Sequence, residues 1–133
     1  MQTLSRLTVV LLVLLLVGCD SGSGDSLPSV AGIYDMRAVS GSLTYRGEVF
    51  LRHPEGDRVV VEGSGDSTAR ILGTDVTTDY DIFGFRDGDD IEMEWETERG
   101  ATWEADVRRR NDDELQGTLT FPDGSVFSLS LTK

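Results

Sequence analysis

Residues 91–98 read Ile-Glu-Met-Glu-Trp-Glu-Thr-Glu, and no other stretch restricts the fold so tightly. Ile91, Met93, Trp95 and Thr97 hold the odd positions; Glu92, Glu94, Glu96 and Glu98 hold the even ones. Successive side chains of a strand point to opposite faces, so this pattern makes one apolar face and one acidic face. The segment reads as a half-buried strand, and the same alternation recurs from Val30 onward with no apolar repeat at three and four.

The loops can be tested by parity, because a one-residue slip in a hairpin exchanges its faces. The segment after residue 98 carries Trp103, Ala105 and Val107 on odd positions. A three-residue loop, Glu98-Arg99-Gly100, keeps odd opposite odd and sets Trp95 against Trp103, with Gly where a left-handed residue is wanted. Pro54-Glu55-Gly56 and Pro122-Asp123-Gly124 follow the same rule, joining Val49 and Leu51 to Val59 and Val61, and Leu119 and Phe121 to Phe127 and Leu129. Asp87-Gly88 is a two-residue signal that pairs even with odd, placing Tyr80 opposite Trp95 and Ile82 opposite Met93. Nine segments result: 31–39, 43–52, 57–63, 67–73, 76–86, 89–98, 101–109, 114–121 and 125–132. Turns are expected at Ser64-Gly65-Asp66 and a bulge or corner at Gly73. Phe83 and Phe85 fall on the polar face, which calls for a bulge or an exposed aromatic patch near Gly84.

Connections this short give an all-β antiparallel meander. Closure into a small up-and-down barrel of eight or nine strands buries the apolar face and removes the sheet edges; a curled open sheet or a sandwich is the alternative. Gly32-Ile33-Tyr34 resembles the Gly-x-Trp opening of lipocalins, with Tyr34 in place of the Trp, and Thr78-Asp79-Tyr80 resembles their Thr-Asp-Tyr motif. The resemblance implies a calycin-like barrel. Small eight-stranded barrels are either filled by side chains or just wide enough for one small ligand. A pocket for a small hydrophobic molecule would be lined by Trp95, Trp103, Tyr80, Met93, Tyr34 and Tyr45. A filled barrel would point to a structural or protein-interaction module.

The chain carries 24 acidic against 12 basic residues, a net charge of −12. That field repels phosphates and argues against nucleic acid. Asp79, Asp81, Glu92, Glu94, Glu96, Glu104 and Asp106 should share one outer face, where like charges opposite one another are unfavourable. Solvation and salt screening is one resolution. Calcium held by hard oxygen ligands, with Asp79, Asp81, Glu94 and Glu96 as candidates, is the other. His53, the only histidine, sits in a loop with no Ser or Cys arrangement beside it, so no catalytic site and no cofactor is expected. Arg108-Arg109-Arg110 ends a strand and should balance nearby acids.

The N-terminus sets the address. Arg6 precedes an apolar run at residues 7–17, too short for a hydrocarbon core of about 30 Å, which fits a secretory signal peptide. Leu16-Val17-Gly18-Cys19 resembles the lipobox of bacterial lipoproteins. The resemblance implies cleavage before Cys19, the only cysteine, and a diacylglycerol thioether on its sulfur; two or more acyl chains hold a protein firmly to a membrane. The chain thus divides into a signal peptide (1–18), a lipidated Cys with a flexible Gly/Ser linker (19–29) and a barrel domain (30–133). Seven linker residues reach roughly 15 Å. The expected location is the bacterial cell envelope, the outer membrane before the inner, with the domain in the periplasm or at the cell surface.

Overall fold

A computed structural model describes residues 27–133. The signal segment, the lipobox and most of the linker lie outside the described residues. The alternating pattern becomes eight strands: β1 (Gly32–Ser40), β2 (Leu43–Arg52), β3 (Val60–Ile71), β4 (Thr74–Asp87), β5 (Asp90–Thr97), β6 (Thr102–Asn111), β7 (Glu114–Thr120) and β8 (Val126–Thr132). Each pairs antiparallel with the next, and β8 pairs back onto β1 from Asp35↔Thr132 to Val39↔Ser128, so the sheet is a closed up-and-down barrel. The inward set is the apolar one: Tyr34, Met36 and Ala38 on β1, Tyr45, Val49 and Leu51 on β2, Ile91, Met93 and Trp95 on β5, Trp103, Ala105 and Val107 on β6, all buried.

Several loops form as the parity test requires. Trp95 faces Trp103 across a loop of Glu98, Arg99 and Gly100, and Gly100 has φ 82. Leu119 faces Phe127, with Gly124 at φ 88. The exposed aromatic pair also appears: Phe83 and Phe85 meet edge to face at 5.1 Å on the outer surface, with no break in the β4–β5 register.

Four sequence readings are corrected. The third and fourth segments are one strand, the 12-residue β3, with no turn at Ser64-Gly65-Asp66. The glycines there serve close approach instead: a Cβ on Gly63 would lie 1.9 Å from the Phe50 carbonyl oxygen, so the strand can coil around the barrel only without one. The β2–β3 connection is wider than three residues; Val49 faces Gly65 and Leu51 faces Gly63, four positions beyond the expected register with parity intact. A single 3₁₀ turn at Pro54–Gly56 occupies only part of that loop. The β4–β5 turn is Gly88-Asp89, not Asp87-Gly88, so Ile82 faces Trp95 and Tyr80 faces Thr97. Gly88 has φ 61 at the first turn position, as a type II′ turn requires. Gly73 is no bulge but the second residue of a tight turn, Leu72-Gly73, with φ 51 and 80. A two-residue turn reverses parity, which accounts for the opposite apolar phases of β3 and β4.

The barrel has two unlike ends. At the entry end lie residues 27–31, the β2–β3, β4–β5 and β6–β7 connections, and the C-terminus. The far end carries the β1–β2, β3–β4, β5–β6 and β7–β8 turns.

Candidate functional site

The far half of the interior is an aromatic column. Tyr80 stacks on Trp95 (centroids 4.8 Å apart) and tilts against Trp103 at 5.7 Å. Trp103 stacks on Phe121 at 4.3 Å, and Phe121 on Phe127 at 4.5 Å. Tyr45 presents itself edge-on to Trp103, Phe121 and Phe127 at 5.3–5.7 Å. These offset and edge-to-face geometries are the ones ring quadrupoles favour. The Tyr80 hydroxyl donates to the Asp66 carbonyl at 3.1 Å. Burial pushes the Tyr80 and Tyr45 phenols above the ordinary range.

All six residues expected to contact a ligand, Trp95, Trp103, Tyr80, Tyr45, Met93 and Tyr34, face the barrel interior and are buried, and the first four pack ring against ring. Tyr34 is separate, at the entry end. Its hydroxyl donates to the Val30 carbonyl at 2.7 Å, and Lys133 Nζ sits 5.3 Å from its ring centroid. Burial pushes the Tyr34 phenol up to about 12, opposed by the nearby charge of Arg109. One interior polar group, Trp95 Nε1, has no hydrogen-bond partner among the described residues.

The outer face carries acid ladders without basic partners among the described residues. Glu48, Asp66 and Asp79 align across β2, β3 and β4; Asp81 faces Glu96, Glu94 faces Glu104, and Glu92 faces Asp106. Among the described residues no group of three acidic, His or Cys side chains converges in a way that could hold a metal ion, the candidates Asp79, Asp81, Glu94 and Glu96 included. The arginine run does balance acids: Arg108 meets Asp90 at 3.2 Å, and Arg109 meets both Asp89 at 3.8 Å and Asp112.

An outer apolar patch sits toward the entry end. Ile33 faces Phe50 across β1–β2, and Phe83 and Phe85, 46% and 55% exposed, follow on β4. Recesses in the surface run over these outward residues, one between Phe50 and Phe83 and one beside Phe83 and Phe85.

Sequence reasoning misses the polar fittings of the entry end. Arg86 is 5% exposed and inward, its Nε donating to the Gly88 carbonyl at 3.0 Å and its Nη1 to the Pro28 carbonyl. The signal was present: Arg86 continues the even, inward phase of Tyr80, Ile82 and Gly84. His53, read as a bare loop residue, has both ring nitrogens against main chain.

No protein-family model and no curated protein sequence matches the chain. Among solved structures it is similar to a de novo designed fluorescence-activating β-barrel, with a TM-score of 0.60 and 20% identity over 84% of this chain and 96% of the designed one. Two redesigned barrels, mFAP1 and mFAP0, each bound to DFHBI, follow with TM-scores of 0.58 and 0.56, both 12% identical over 80% of this chain, and covering 94% and 98% of theirs. Identities this low establish the architecture: a closed eight-stranded antiparallel barrel, compatible with the lipocalin-like shape.

Proposed function

We propose that this chain is a non-catalytic binding module of the bacterial envelope, anchored by lipid on Cys19, which meets its partner with the outside of a packed barrel. The observation that carries this reading is the contrast between inside and outside. Inside, the rings stack on one another at 4.3–4.8 Å. Outside, Phe83 and Phe85 are exposed beside Phe50 and Ile33, and grouped exposed apolar side chains mark contact surfaces. Metabolic labelling with palmitate tests the anchor: wild type should incorporate label and move with membranes, and Cys19→Ser should do neither.

A second reading, carriage of a small hydrophobic molecule, is favoured by two observations. The similar designed barrels include two bound to DFHBI, and the buried Trp95 Nε1 has no hydrogen-bond partner among the described residues. Tryptophan fluorescence separates the two, since Trp95 and Trp103 both lie in the column. Titration with fatty acids and quinones leaves the spectrum unchanged if the barrel is packed, and shifts or quenches it if a ligand enters.

A further inference from the structure

The entry end is closed by the chain's own N-terminal segment, and three side chains hold that segment by its backbone. Val30, 1% exposed, plugs the barrel end. Tyr34 Oη donates to the Val30 carbonyl at 2.7 Å, and Arg86 Nη1 donates to the Pro28 carbonyl. His53 supplies the third clasp: the Val30 N–H donates to Nε2 at 3.0 Å, while Nδ1 lies 3.0 Å from the Val60 carbonyl. A carbonyl oxygen only accepts and an amide N–H only donates. The ring must therefore carry its proton on Nδ1 and leave Nε2 bare.

We infer that His53 is the catch of an acid-released latch, which holds residues 28–30 across the barrel end while the imidazole is neutral and lets them go when it is protonated. Protonation puts a second N–H on Nε2, directly opposite the Val30 N–H. Two donors then face each other, and a half-buried amide is left without an acceptor. Histidine is the side chain whose ordinary charge change falls between pH 5 and 8. Charged groups on the elements meeting at the ring are few. Residues 27–31 carry none, and the loop carries Glu55, Asp57 and Arg58. The β2 strand ends in Arg52, already held by Glu62 of β3 at 3.1 Å, and the end of β4 supplies Arg86 and Asp87, with Asp89 acting on Arg86 from the turn beyond. Among the described residues none of these side chains bonds the ring, whose nitrogens meet the Val30 N–H and the Val60 carbonyl. Release uncovers the apolar end around Val30 and Tyr34 and frees the segment that leads to the linker. The inference goes beyond the proposed function and does not depend on it.

The test is hydrogen–deuterium exchange by mass spectrometry on the full-length chain in detergent, corrected for intrinsic rates. It follows a peptide covering residues 27–33 against one from β5. Between pH 7.5 and 5.5 the first should exchange roughly tenfold faster and the second should not change, the scale of one lost hydrogen bond. His53→Gln can set its amide oxygen near the Nε2 position to accept from the Val30 N–H and carries no titrating group, so its exchange should not change between the two pH values. His53→Phe should exchange fast at both. Equal pH responses of wild type and H53Q, or no response in wild type, would overturn the latch; should H53F fail to fold, that comparison still decides.

Discussion

Single residues in this barrel are held by requirements that can be tested one at a time. Leu72 is fully exposed and has φ 51, a conformation that costs a non-glycine residue of order 1 kcal/mol or more. Leu72→Asn, which tolerates that region and removes an exposed apolar group, should raise stability by about 0.5–1 kcal/mol, seen as a higher urea midpoint at unchanged slope. Tyr34 has the opposite character. Tyr34→Phe removes the bond to the Val30 carbonyl and should cost about 1 kcal/mol. Its phenol also predicts alkaline behaviour. The folded-state value is raised from 10.0 to about 12, so the native state keeps its proton where the unfolded chain gives it up. The contribution is complete below pH 10 and is lost as pH rises through 12. Stability measured across that range should fall more steeply in wild type than in Y34F; equal slopes would remove Tyr34 from the explanation.

At the scale of the strand, curvature rests on missing side chains. Inward positions of β3 are filled by Val61, Gly63, Gly65, Ser67 and Ala69, a run that becomes small where the strand bends. Gly63→Ala must place a methyl group 1.9 Å from the Phe50 carbonyl oxygen and should cost more than about 2 kcal/mol or open the β2–β3 pairing. Ser64→Ala, on the outer face one residue later, should stay within about 0.5 kcal/mol, measured by the same chemical denaturation. Strands whose inward positions are large and unbroken were legible in the sequence. β5 and β6 are the plain cases, since Trp95 and Trp103 fix their register. The β3 strand was not, because glycine and serine at inward positions carry the composition of a turn. Only the neighbouring backbone shows that the gap is filled.

For the whole molecule, charge is the dominant unresolved strain. Glu48, Asp66 and Asp79 align across three strands, and Glu92 and Glu94 face Asp106 and Glu104, with no arginine among them. Raising NaCl from about 0.01 M to 1 M shrinks the screening length from about 30 Å to 3 Å and should raise the melting temperature. A gain of about 1 kcal/mol corresponds to roughly 4 °C or more for a domain of this size. Asp66→Asn, at the middle of the ladder, should capture part of that gain at low salt. CaCl2 at matched ionic strength should do no more than NaCl, because among the described residues no three acids converge on one point. A larger calcium effect would mean that the ladders rearrange around an ion.

The sequence by itself determined the strand character, the inward face of nearly every strand and the parity of the four loops tested, because a period of two and a turn's length are local properties of the chain. It also put Phe83 and Phe85 in the outward phase, leaving the choice between a bulge and an exposed patch to the fold, which keeps the register and exposes them. Registers at the β2–β3 and β4–β5 connections were decided only in the folded barrel, since His53 ties its loop to Val60 and Val30, residues 7 and 23 positions away. The mutual stacking of Tyr80, Trp95, Trp103, Phe121 and Phe127 was decided there too. Alternation says that a ring points inward, but whether it meets a space or another ring depends on how far five strands coil toward one another.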